Sequence, residues 1–327
     1  MAYNDIIDRS GASALIPEEV SKEIIQSLPV QSTFLRLANR MPNMTRKQLR
    51  IPVLTGNAEA YFVNGDTGLK QTTKLTWDNC YITAEEIAAY VVIPQAVLDD
   101  SDYDIWAEVR PRIVEAFGRK IDAAVFFGTS KPTSWPDGIV PAAATAGNYK
   151  IITDDLYQDI NGEGGIVDKV ESNGVPVTSY VGALKLRAML RGATDTNKQP
   201  IFRTAYSNGN AGSMVYELNG GAIDFPTNGS WDAAAALLLA GDFRYARYAI
   251  RQDVTYTMIT QGVITDDEGK VIINLAQQDS VALRCVMRMG WALPKPVNPV
   301  AGQNYFPFSV LVPSDSTVIP EDDTEGE

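Results

Sequence analysis

The spacing of hydrophobic positions changes repeatedly along the chain, and each change marks an element. Residues 1–48 are only weakly periodic. Ile16-Pro17-Glu18-Glu19-Val20 opens a short helix with Val20, Ile24, Ile25 and Leu28 on one face and Pro29 as its stop. Phe34, Leu35 and Leu37 follow, so this stretch reads as an arm with a small amphipathic helix. Leu49-Arg50-Ile51-Pro52-Val53-Leu54 alternates as a strand, residues 55–74 are polar and glycine-bearing, and alternation resumes at Leu75, Trp77 and Tyr81-Ile82 before the apolar run 88–93. Two strands around a polar segment predict a long hairpin, and a loop that long in a compact domain usually carries function.

Residues 101–127 carry the clearest helical period, with Ile105, Val109, Ile113, Ala116, Phe117, Ile121, Ala124 and Val125 on one face. Ser101 with Asp104 reads as the N-cap and Gly128 as the stop. The rod is about 37 Å long at 1.5 Å per residue, and Pro111 is expected to kink or weaken one turn. Residues 153–172 predict a helical region broken by Gly162, Gly164 and Gly165, and 179–190 a third helix stopped by Gly192. Short strands are expected at 200–202 and 213–218, then a glycine-rich link to an apolar run at 234–240. Strand alternation returns at 245–259 and 271–275, with a turn over 265–269 between them, and 281–293 reads as a long final strand. The class is α+β, without βαβ rhythm and without an internal repeat.

The 327 residues are enough for one large or two ordinary domains. There are 28 Lys+Arg against 40 Asp+Glu, and six of the acids lie in the last fifteen residues, leaving 34 acids and 28 bases in the rest. This is an acidic body with an acidic tail, the reverse of a phosphate-binding surface. Val318 and Ile319 are the only apolar residues in 315–327, so that tail is expected to bury little. The chain has no histidine, which removes Ser-His-Asp and Cys-His catalysis and imidazole metal ligands. Cys80 and Cys285 can form one disulfide or act as reduced, small apolar residues, the second suiting a reducing compartment. No signal-peptide pattern opens the chain and no apolar run is long enough to span a membrane.

Three features invite a chemical reading. Asp99, Asp100, Asp102 and Asp104 are either a Ca²⁺ or Mg²⁺ site or negative charge at a helix start; the EF-hand glycine and distal Glu are missing, which favours the helix start. Gly162-Glu163-Gly164-Gly165 and Gly209-Asn210-Ala211-Gly212 lack the Lys-Ser/Thr of a phosphate loop and read as turns. Tyr61-Phe62-Val63 is an apolar patch on a polar loop, either a local staple or a docking point, and docking is favoured. No catalytic, cofactor or metal site is expected.

The order of elements, and four local runs, resemble the major capsid proteins of tailed bacteriophages with the Hong Kong-type phage capsid fold. Val92-Ile93-Pro94-Gln95-Ala96-Val97-Leu98-Asp99-Asp100-Ser101 resembles the strand-to-spine-helix junction. Gly128 with Pro136-Asp137-Gly138-Ile139 resembles the turn after that helix, Leu239-Ala240-Gly241-Asp242-Phe243 a G-D-F strand, and Val281-Ala282-Leu283-Arg284 the start of the last strand. The resemblance covers residues 12–312. It implies an N-terminal arm (1–48), an extended loop hairpin with its return strand (49–93), a peripheral domain with the spine helix (94–149) and an axial domain (150–258). Peripheral return strands (259–312) and an acidic tail (313–327) complete it.

By that resemblance the protein is no enzyme but a structural subunit, assembling as pentamers and hexamers into an icosahedral virion shell in the host cytoplasm. The shell encloses double-stranded DNA without sequence-specific binding and without a membrane. A portal is implied. An arm beginning at Met1 leaves no room for a cleaved built-in scaffold and implies a separate scaffolding protein. The same fold builds encapsulin-type cargo compartments, which residue chemistry does not separate, and a carboxylate-dependent hydrolase is the rival from another class.

Tyr61, Phe62, Trp77, Lys70 and Lys74 are the subunit-interface candidates. In some relatives a loop lysine forms an isopeptide bond; Lys70 and Lys74 read more simply as solvated loop charges. One hairpin arm of some eighteen residues reaches roughly 60 Å, far beyond a globule whose radius of gyration is about 20 Å. Its tip is expected to order only against a neighbour. The net charge of -12 predicts weak, shallowly salt-dependent binding of duplex DNA by the isolated subunit, checked by fluorescence anisotropy across a salt series.

Overall fold

The structure is a computed structural model describing residues 32–63, 70, 72–99, 105–192, 203–206, 214–266 and 268–319. The expected helix over 16–28, the Ser101 cap, Asp100, Asp102 and Asp104, the strand at 200–202 and the turn at 209–212 lie outside these residues.

The chain opens with α1 (Thr33–Leu37), β1 (Asn39–Arg40), β2 (Gln48–Gly56), β3 (Thr76–Thr83) and β4 (Glu85–Pro94). Two helices follow, α2 (Gln95–Asp99) and the spine helix α3 (Ile105–Phe127), then α4 (Ile139–Thr145), β5 (Tyr149–Ile151), α5 (Leu156–Asn161) and α6 (Ile166–Glu171). Next come β6 (Ser179–Gly182), α7 (Leu184–Gly192), β7 (Arg203–Tyr206), β8 (Met214–Leu218), β9 (Gly221–Asp224) and β10 (Leu238–Gly241). The last strands are β11 (Arg247–Ile259), β12 (Val263–Thr265), β13 (Val271–Asn274), β14 (Ser280–Ala292) and β15 (Phe308–Val312).

A four-stranded sheet runs β1-β11-β14-β4, and a seven-stranded sheet runs β5-β15-β10-β6-β9-β8-β7. β2-β3 and β12-β13 stand as two-stranded ribbons. Alternation on β14 sends Val281, Leu283, Cys285, Met287, Met289 and Trp291 into one core with Ile113, Val114, Phe117, Ile121 and Val125 of the spine helix. The central strands β6, β10 and β15 of the seven-stranded sheet are buried on both faces. Val181, Leu239, Phe308 and Val310 join the same core, while Tyr180, Leu238, Ala240 and Leu311 pack with Leu156, Ile160, Ile166, Leu186 and Leu190 in a second one.

That double burial accounts for several departures from the sequence reading. Strands covered on both sides lose the alternation that marks a half-buried strand. Residues 179–182, expected as the start of a helix, are the strand β6 between β10 and β9, and the helix begins only at Leu184. The glycine-rich link contains β9, and β14 is not the last strand, because β15 follows. The turn at 265–269 is present but closes β12 onto β13. The spine helix passes through Pro111 without a break. The strands also cross the expected cut after residue 258: β11 pairs with β14, whereas β15 pairs with β10 and β5. The tail is not wholly loose, since Ser316 is buried with its hydroxyl donating to the Ala235 carbonyl, and Val318 and Ile319 pack on the core.

The runs that resembled a family have physical reasons. Gly128 takes a left-handed conformation (φ 72°) and caps the spine helix. Gly138 lies so close to it that a Cβ would sit 2.4 Å from the Gly128 nitrogen. A Cβ on Gly241 would meet the Pro307 carbonyl at 2.4 Å, and the neighbouring Phe243 stacks edge-on against Phe308 at 5.0 Å. Both thiols are free; burial raises that of Cys80 and pushes Cys285 up to about 11, so both stay protonated as packing groups.

One polar residue on the spine helix went unread in the sequence. Asp122 is fully buried. Its carboxylate accepts from the Ser32 hydroxyl (2.6 Å), the Thr33 and Phe34 backbone N–H groups (3.0 Å each) and the Asn228 amide (2.9 Å). Burial pushes its pKa up, and these four donors pull against that shift. Removing the acceptor strands buried donors, so Asp122→Ala is expected to cost about 3 kcal/mol of stability, with Asp122→Asn less costly. Denaturant titration of both variants checks this.

Candidate assembly surface

The hairpin β2-β3 pairs from Gln48↔Thr83 to Leu54↔Trp77, with a register shift before Gly56↔Thr76. Leu49, Ile51, Cys80 and Ile82 share the face that meets the body, where they pack with Met41, Met44, Ala84, Ala249 and Ala292. The opposite face carries Arg50, Trp77 and Tyr81, and both aromatic residues are exposed.

The root of the hairpin is pinned. Gly290 of β14 lies directly under it, and a Cβ there would meet the Thr83 carbonyl oxygen at 2.2 Å. The Trp135 indole donates to that same oxygen (3.2 Å), Ala84 N–H donates to Lys47 O (2.8 Å), and Ser134 Oγ donates to Glu85 (2.7 Å). Farther out, Val297 N–H donates to the Leu54 carbonyl (2.8 Å). A cavity of about 490 Å³ opens between the hairpin and the body, lined by Ile51, Leu54, Arg244, Tyr245, Arg247 and Pro294 among others.

The paired strands are shorter than the eighteen-residue arm expected from sequence. β3 has 8 residues, which is about 26 Å at 3.3 Å per residue. Beyond Gly56 the run Asn57-Ala58-Glu59-Ala60 has poor strand propensity, and pairing stops. Two hydrogen bonds tie the described part of the tip: Glu59 N–H to Thr73 Oγ1 (2.9 Å) and Tyr61 Oη to Glu59 (2.8 Å), the latter raising the tyrosine pKa. Tyr61, Phe62, Trp77, Lys70 and Lys74 are all exposed, and Phe62 is exposed completely, at 108%. Nothing within the described chain covers them.

A second surface adjoins the hairpin root, with Trp135 common to both. β4 pairs only with β14, so its outer edge has no strand beside it among the described residues. Between that edge and the spine helix lies a groove of about 360 Å³, lined by Ile87, Ala89, Phe117, Lys120, Ala124 and Trp135 among others. An unpaired edge beside an apolar groove accepts an extended segment through main-chain bonds and side-chain pockets together.

Comparison with known proteins bears on what these surfaces do. The model of the phage capsid family matches residues 12–300. The major capsid protein of Staphylococcus phage 80alpha is 24% identical over 279 residues, 83% of this chain and 79% of that protein. A solved chain from Microbacterium phage Oxtober96 is 32% identical with a TM-score of 0.73, covering 94% of this chain and 100% of the other. One from Mycobacterium phage Bobi is 30% identical with a TM-score of 0.73, covering 95% and 100%.

Because Gly290 admits no side chain under Thr83, Gly290→Val is expected to displace the hairpin root. Protease cleavage within 48–83 should rise markedly in the variant, while far-UV circular dichroism changes little; unchanged cleavage would show the root is held otherwise.

Proposed function

The chain belongs to the phage capsid family, and we propose that it is the major capsid protein of a tailed phage, the subunit repeated to build an icosahedral virion shell. The observation that carries this reading is the cantilevered hairpin, rigid at its root and apolar toward a tip where Tyr61 and Phe62 are left bare by the described residues. A tip with fully exposed Phe62 has no function in a lone globule. In a shell it meets a neighbour, and each buried aromatic side chain contributes about 2 kcal/mol per contact.

Assembly proceeds by self-association, driven by apolar burial and oriented by polar rims. The acceptor is the groove between the β4 edge and the spine helix of the adjoining copy, with Phe62 entering it and Glu59 able to meet Lys120. Charge does not oppose the pairing. Residues 48–83 hold three bases and three acids, a net of zero on a chain of -12, so the hairpin is a neutral part of an acidic molecule. Trp77, Lys70 and Lys74 belong to the same contact. The four-stranded sheet with the spine helix forms the peripheral domain, and the seven-stranded sheet with α5, α6 and α7 the axial domain.

The shell is made of pentamers and hexamers and assembled in the host cytoplasm around a separate scaffold, with a portal. It holds double-stranded DNA that its acidic body does not gather by charge, so the genome enters by force. A cargo compartment and a carboxylate hydrolase are not favoured, since the relatives are phage proteins and the curated one is a capsid subunit.

Replacing residues 57–75 with a short Gly-Ser turn, or Phe62 with Ser, is expected to leave the melting temperature of the free subunit unchanged while closed shells fail. Electron microscopy and light scattering read the shells. Normal shells from both variants would overturn the hairpin assignment.

A further inference from the structure

We propose that Asn228 is a self-modification site, at which the Gly229 backbone nitrogen attacks the Asn228 side-chain carbonyl carbon and converts the residue to aspartate or isoaspartate. In this step the Gly229 N–Cγ bond forms and the Cγ–Nδ2 bond breaks. Ammonia leaves, carrying the proton lost from the Gly229 nitrogen. Water then opens the succinimide at either carbonyl, and no oxidant or reductant is needed.

The surroundings of Asn228 are arranged for this chemistry. Its amide oxygen accepts from Ser230 N–H (3.0 Å) and from Ser230 Oγ (2.6 Å), a pair of donors aimed where negative charge develops in the tetrahedral intermediate. Its amide nitrogen donates to Asp122 Oδ2 (2.9 Å), which holds the side-chain amide in one orientation beside the Gly229 backbone. Ser230 Oγ is also 3.5 Å from that oxygen, linking the two ends of the amide. Gly229 has a left-handed backbone (φ 73°), no atom within 4 Å of where a Cβ would stand, and an exposed position that admits water.

Other Asn-Gly pairs among the described residues lack this set. Asn219 uses its amide nitrogen toward Asn161 and the Tyr180 hydroxyl. Asn173 donates to the Lys169 carbonyl (2.8 Å), and Gly174 is crowded, with the Asn298 amide oxygen 2.9 Å from the Cβ position.

The product has a consequence. A carboxylate at 228 removes a donor from Asp122 and sets like charge against it in a buried place. The bonds from Asp122 to Ser32, Thr33 and Phe34 are thereby weakened, so the modification is a one-way release of the arm root from the spine helix.

The test is a time course of the purified full-length protein at physiological temperature and pH, read by peptide mass spectrometry with enzymatic isoaspartate detection. Conversion at Asn228 should outrun that at Asn219, which serves as the control within the same wild-type molecule, and Ser230→Ala should slow it about tenfold. A rate at Asn228 no faster than at Asn219, or one indifferent to Ser230→Ala, overturns the proposal. In parallel, Asn228→Asp should expose residues 32–37 to proteolysis; protection equal to the parent protein overturns the release.

Discussion

A carboxylate buried in the side of the long helix holds two distant stretches of chain against that helix. Asp122 collects donors from the start of α1 and, through Asn228 and Ser230, from the loop after β9. A buried charge without donors is costly, so these segments have one arrangement in which all of them are satisfied. Once α1 is seated, Phe34 stacks against Phe126, Tyr248 and Trp291, and Asn39 and Arg40 add a parallel strand to β11. The relation of the arm to the helix and to both sheets follows from that single polar point.

The hairpin obeys a complementary rule. Its root is fixed by close backbone approach at Gly290 and by the Trp135 indole, neither of which tolerates sliding. Its tip has two hydrogen bonds among the described residues and no apolar cover, too little to offset the ordering of so many residues. Rigidity at one end aims the segment, and the shortfall at the other is what the proposed contact with a second copy would supply.

Features visible in the sequence were those with a long, one-sided pattern. The spine helix buries one stripe, β2 alternates between an exposed and a half-buried face, and β14 was legible through its length of 13 residues although nearly all of it is buried. β6 and β15 escaped because they are short and buried between two layers, where Tyr180-Val181 or Val310-Leu311 shows no period to read, and β9 because it has only 4 residues. Asp122 escaped because its partners are some ninety and one hundred and six residues away, and a lone acid on a helix resembles a solvated one. Its signal was its place between Ile121 and the Ala123-Ala124-Val125-Phe126 run, where a solvated face is hard to fit. The exposed Tyr61 and Phe62 were legible as apolar residues on a polar loop; the groove beside β4 was not, because β4 and the spine helix build it only in three dimensions.

Charge and shape together explain why such a subunit associates in order rather than at random. Acidic copies repel one another at most approaches, and that repulsion suppresses contacts lacking a compensating partner. The hairpin, residues 48–83, with its net of zero against -12 for the remaining residues, lowers the penalty along its own direction. Aromatic burial then rewards that direction at short range, where screening by salt no longer matters. The proposed heterologous contact, hairpin of one copy on the body of the next, would propagate around a ring and close if the rotation per step allows. In that contact the angle of the step is set at the hairpin root, where Gly290, the smallest residue on β14, permits the close approach.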